Sequence, residues 1–167
     1  LTGPAGEALA VDVVRQGAEQ GHAHTVILTC SATHGIEGYV GSAAQSAALH
    51  AHFFQDLGPG VAVVQVHALN PYGFAYGRRV NEDNVDLNRN FINFDQPRPA
   101  EHPHTATLQP FLLPDDWDGP ARVEADQRIA DFIATHGLRV FQSAVTRGQY
   151  RFPDGMYFGG SRPVWSH

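Results

Sequence analysis

The sequence predicts an α/β domain, and three observations carry that prediction. Thr25–Cys30 (TVILTC) and Val61–Leu69 (VAVVQVHAL) are short, β-branched apolar runs of the kind that form buried strands. Between them, Tyr39–Leu57 is rich in alanine and closes at Gly58-Pro59-Gly60, as a helix does. Strand, helix, strand is a βαβ unit, which sets its two strands parallel in one sheet. A mixed, mainly parallel sheet flanked by helices is the expectation, as one domain over residues 1–167.

The other elements follow in chain order. Gly6–Gln20 places Leu9, Val13 and Val14 at helical spacing and is expected to be a helix ended by Gly21. Ser31–Gly38 (SATHGIEG) reads as a glycine-bearing loop after the strand, and Asn70–Phe94 as a long polar segment. Residues 95–120 hold six prolines and read as an irregular excursion. Ala121–Thr135 sets Val123, Ile129, Phe132 and Ile133 on one side, an amphipathic helix. A further helix is expected from about Leu138 to Arg147, and loop from Gly148 to His167.

Composition narrows the function. Eleven basic residues, all arginine, against 17 acidic ones leave a net charge of −6, the opposite of the usual nucleic-acid or anionic-membrane binder. No apolar run approaches the roughly 20 residues of a membrane helix. Cys30 is the sole cysteine, which excludes an internal disulfide or a cysteine-rich zinc site and suits the cytoplasm. On its buried strand it is expected to be core.

Two segments carry chemistry. His34-Gly35-Ile36-Glu37 follows a strand, and ligand sites in α/β sheets gather at the carboxyl ends of parallel strands. An imidazole and a carboxylate at i and i+3 share one side of a helical turn and can reach one zinc ion. The plainer reading is a loop histidine bonded to its neighbour. Arg78–Phe91 (RRVNEDNVDLNRNF) sets three arginines among acids and amides after the next strand. Arginine's planar fork suits carboxylates, although a solvated loop with internal pairs such as Arg89–Asp86 explains the composition equally.

Taken together and in order, these segments resemble the zinc carboxypeptidase superfamily, including its aspartoacylase-like relatives. The likeness is closest to a bacterial branch with the patterns found here at Ser31–Ser42, His67–Phe74, Arg78–Phe91, Gly148–Tyr150, Pro153–Gly155 and Tyr157–Gly160. It implies a zinc-exopeptidase fold and places His34 and Glu37 on a catalytic zinc whose open position holds water of lowered pKa. It makes Arg79 the group that polarises the scissile carbonyl, with Arg78 the lesser candidate. It assigns Asn88 and Arg89 to the substrate's terminal carboxylate, with Asp86 and Asn90 orienting them. The implied activity is zinc-dependent hydrolysis of an amide or peptide bond beside a free carboxylate. The substrate is a peptide or, in the alternative, an N-acyl amino acid.

The pattern stops short of a full centre. The superfamily has a third zinc ligand, a histidine, and a general-base glutamate, and neither is identifiable here. One expectation is that the 167 residues are the first half of a longer protein; another is that His67, His102, His104 or His167 serves as third ligand. A non-catalytic binding module is the remaining alternative. His67 otherwise reads as structural, His136 as sitting at a helix C-terminus, and Tyr150 and Tyr157 as pocket-lining or packed. The same donors would also accept other divalent metals.

Overall fold

The computed structural model describes residues 1–166. The chain divides into two compact units, Leu1–Glu82 with Ser166, and Asp83–Trp165.

The first unit holds a three-stranded mixed sheet, β1 (Asp12–Gly17), β2 (Thr25–Cys30) and β3 (Val61–His67), in the order β1-β3-β2. β2 and β3 are parallel, with Thr25 beside Val61 and Cys30 beside Val66. They are joined through α1 (Gly35–His50), so the expected βαβ unit is present. β1 runs antiparallel to β3, Asp12 opposite His67 and Gly17 opposite Ala62. This strand replaces the helix expected near Gly6–Gln20. Val13 and Val14 are adjacent and β-branched, and the register along β3 outweighs a helical spacing of three apolar residues. One of the two pairings is thus parallel.

Val63 of β3 is fully buried, whereas β2 is an edge strand whose Val26, Ile27 and Leu28 are all exposed. Cys30 is exposed as well, against the expectation of a core position. An edge strand has a neighbour on one flank only, and here side chains of both faces remain in contact with solvent.

α1 begins four residues earlier than its alanine-rich stretch suggests. α2 (Pro71–Tyr76) follows β3 and is capped by Asn70, whose side chain accepts from the Gly73 amide at 2.8 Å.

The second unit is built on helices: α3 (Leu87–Asn90), α4 (Thr105–Leu112), α5 (Pro120–His136) and α6 (Leu138–Thr146). α5 and α6 match the two helices read from periodicity. α4 lies inside the proline-rich excursion and contains Pro110, whose missing amide shortens the helix without preventing it. Leu108 of α4, Phe132 of α5 and Ala144 of α6 are buried together, with Val140, Phe141 and Val145 against them. The segment after Thr146 is irregular, as expected, with a bridge between Gln149 and Phe158.

Candidate functional site

His34 is the N-cap residue of α1 and Glu37 lies in its first turn, so the His-x-x-Glu pair sits on a helix start rather than in a loop. The backbone fixes that position. The Gly35 amide, one of the orphan donors of a helix N-terminus, donates to the Arg78 carbonyl at 2.9 Å. A Cβ at Gly35 would collide with the carbonyl oxygens of Arg78 and Gly73, so only glycine lets the helix start approach the segment carrying the arginines. The chain after β3 is tied in by Leu69 and Asn70, whose amides donate to the carbonyls of Ser31 and Ala32.

The result is a three-residue cluster. His34 Nδ1 and Glu37 Oε1 are 3.0 Å apart, and the Arg79 guanidinium reaches the same carboxylate oxygen at 3.8 Å. His34 is buried, whereas Glu37 presents its carboxylate to solvent. Glu37 is held below the usual carboxylate range, first by its own backbone amide, then by His34 and Arg79 against the cost of burial. Arg78 contributes backbone to this arrangement, accepting from Gly35 and donating to the Gly73 carbonyl. Of the two arginines, Arg79 is the one whose charge stands at Glu37.

Imidazole nitrogen and carboxylate oxygen are zinc-type donors, and at 3.0 Å they can both reach one ion at roughly 2.0–2.2 Å. The pair fits a divalent metal as two of its ligands. Among the described residues no group of three His, Cys, Asp or Glu is arranged to hold a metal. Within the first unit His67 is not grouped with the pair; His102 and His104 belong to the second unit, and His167 lies outside the described residues. His67 packs edge-on against Phe74 at 4.9 Å. His102 and His104 stack with each other, and His104 also with His136, at 5.5 and 4.6 Å.

Asn88 and Arg89 lie in the second unit, on α3. Asp86, fully buried, caps this turn by accepting from the Asn88 amide at 3.0 Å. The Asn88 side chain is exposed. Arg89 is half-buried and held in place: it pairs with Asp86 at 3.7 Å, donates to the Thr146 carbonyl, and lies 5.4 Å from the Tyr157 ring centre. Gly148 has a positive φ of 93°, and a Cβ there would collide with the Arg89 side chain. The internal pair to Asp86 and a role in anchoring a carboxylate are compatible, because a planar guanidinium has five donors.

Asn90 is the residue whose importance the sequence showed least. Its side chain is fully buried, donates to the carbonyls of Gly159 and Arg162 at 3.0 and 2.9 Å, and accepts from the Val164 amide at 3.0 Å. It thereby fastens the glycine-rich C-terminal segment onto α3. Gln149 does the same within that segment, accepting from the amides of Arg151 and Phe152 and donating to the Phe152 carbonyl. Tyr150 donates from its hydroxyl to the Arg89 carbonyl at 2.7 Å, and burial raises its pKa above the ordinary tyrosine value.

The match to a family model covers residues 1–167, and that model is described as "Protein of unknown function (DUF2817)". The chain belongs to the DUF2817 family. No curated protein and no solved structure matches it. In this DUF2817 chain, the described residues contain no helix long and apolar enough to cross a membrane.

Proposed function

We propose that the chain carries part of the centre of a metal-dependent hydrolase that cleaves an amide bond beside a free carboxylate. The observation that supports this reading is the convergence of His34, Glu37 and Arg79 at the start of α1, an imidazole, a carboxylate and a guanidinium within 3.0–3.8 Å contacts. The reading extends the resemblance to zinc carboxypeptidases, with the zinc-exopeptidase type of fold that it implies.

His34 and Glu37 would hold the metal, zinc by donor type. A zinc ion in such a site supplies Lewis acidity and an acidified water. Arg79, fixed by the backbone contacts around Gly35, would donate to the carbonyl oxygen as negative charge develops there. A preorganised donor of that kind is worth about 2.7–4 kcal/mol of barrier. Asn88 and Arg89 would bind the terminal carboxylate of a peptide or an N-acyl amino acid. A non-catalytic metal-binding module held by the same His34 and Glu37 pair is the second reading.

Zinc titration of the chain, beside His34→Ala and Glu37→Gln, tests the metal pair. Binding of one zinc that weakens at least tenfold in each variant is expected; unchanged affinity in His34→Ala overturns the site. Hydrolysis of acylated amino acids and of dipeptides by zinc-loaded protein then separates the two readings. Zinc binding without turnover selects the module.

A further inference from the structure

The face that α1 turns toward the sheet is polar where a helix–sheet interface is ordinarily apolar. Ser42, Gln45, Ser46 and Leu49 recur at i, i+3, i+4 and i+7, one face of the helix. They line a cavity of about 190 Å³ whose other wall is Asp12 and Val14 of β1 with Gln65 and His67 of β3. The register places Asp12 opposite His67 and Val14 opposite Gln65, so these four side chains share one face of the sheet.

The polar groups of this wall are unequally satisfied. Gln45 is fully engaged: it accepts from the Ser31 hydroxyl at 2.7 Å and donates to the carbonyls of Thr29 and Val66. Gln65 Oε1 and His67 Nε2 are buried and have no hydrogen-bond partner. Gln65 is only 4% exposed, so bulk water does not solvate it. A buried acceptor left without a partner costs about 1–3 kcal/mol. Leucine at position 65 would remove that cost.

We propose that this cavity binds a small aliphatic amine or guanidine. The cationic head donates N–H groups to Gln65 Oε1 and to His67 Nε2 in its neutral form, and pairs with the exposed Asp12 carboxylate. The aliphatic stem lies against Val14 and Leu49. The wall carries one negative charge and no Arg or Lys, which disfavours anions, and the Ser42 and Ser46 hydroxyls can turn to accept from the head; the unpartnered Gln65 oxygen selects against a purely apolar guest. The site shares no side chain with the His34, Glu37 and Arg79 cluster, so it stands or falls independently of the hydrolase reading.

The test is a titration of the full chain with n-butylammonium and n-butylguanidinium, followed by calorimetry and by the amide NMR signals of β1, β3 and α1. Saturable one-to-one binding is expected, with shifts confined to those elements. n-Butanol and butyrate are expected to bind at least tenfold more weakly. Asp12→Asn, an exposed change that leaves the fold alone, is expected to lower affinity at least tenfold. Gln65→Leu is expected to lower affinity comparably while raising the melting temperature of the unliganded protein, a pairing that a merely structural glutamine does not produce. Absence of saturable binding, equal affinity for the amine and the alcohol, or unchanged amine affinity in Asp12→Asn overturns the proposal. A fall in melting temperature for Gln65→Leu overturns the assignment of Gln65.

Discussion

Removing the Asn90 side chain is expected to loosen the C-terminal segment more than any other single change on α3. Asn90→Ala deletes three hydrogen bonds, two donated to the carbonyls of Gly159 and Arg162 and one accepted from the Val164 amide. Arg162 is exposed and Val164 half-buried, so these backbone groups regain water and cost about 1 kcal/mol each. The Gly159 carbonyl is bonded in a buried setting and, left alone, costs about 1–3 kcal/mol. The sum is about 3–5 kcal/mol. At roughly 2–4 °C per kcal/mol for a chain of this size, the melting temperature falls by about 6–20 °C. Asn90→Asp keeps the acceptor for Val164 but turns a carboxylate oxygen toward two carbonyls, and is expected to cost at least as much. Asn88→Ala is the control: its side chain is exposed, only its amide is used, and a change within about 0.5 kcal/mol is expected. Chemical unfolding followed by circular dichroism gives the energies, and hydrogen exchange at the Val164 amide localises them. An Asn90→Ala protein within 1 kcal/mol of wild type, or an Asn88→Ala protein as unstable as Asn90→Ala, would refute the reasoning.

Other expectations follow from the same structure. Arg79→Ala is expected to lower amide-hydrolase turnover by about 10²–10³-fold with the circular dichroism spectrum unchanged, and unaltered turnover removes Arg79 from the reaction. Leu108→Ala opens a void among Phe132, Ala144 and Val140, and denaturant titration is expected to show a loss of about 2–5 kcal/mol. Burial, then the neighbouring His104 and Arg147, hold His102 below its ordinary value of 6.5. The unfolded chain therefore binds a proton there that the folded chain does not, and stability is expected to fall as the pH drops below 6.5. His102→Gln is expected to flatten that slope, and an NMR titration placing folded His102 at or above 6.5 contradicts it.

The parts of the fold legible in the sequence are those where local pattern and tertiary context agree. β2, β3, α5 and α6 were readable because β-branched runs and helical periodicity coincide with the packing that uses them. β1 was not, because three apolar residues fit two periods and only the register along β3 decides between them. α4 was hidden by surrounding prolines, which mark breaks and do not reveal that eight residues between them still close a helix. The early start of α1 depends on Gly35, a poor helix former kept there by the close approach of Arg78 and Gly73.

At the site, spacing identified His34 and Glu37 because i and i+3 are neighbours on any helical turn. The choice of Arg79 over Arg78 rested on motif; in the structure Arg78 bonds through its backbone, and the Arg79 guanidinium stands 3.8 Å from Glu37. The grip of Asn90 on residues 159–164 spans some seventy positions of sequence, and no local pattern encodes it.

The edge strand β2 has a consequence for the handling of this protein. From Thr25 to Cys30 it carries no charged residue, no proline and no bulge, and its apolar side chains stand in solvent beside a flank of the sheet that β3 does not occupy. Such an edge is a template for adding a foreign strand, and identical chains present identical templates. Its last residue is a reachable thiol, so strands that meet there under air can be locked by oxidation. Dilute, reducing buffers counter both routes to aggregation, and a single lysine in place of Val26 or Leu28 places a gatekeeper charge on the strand without touching the cluster at the start of α1.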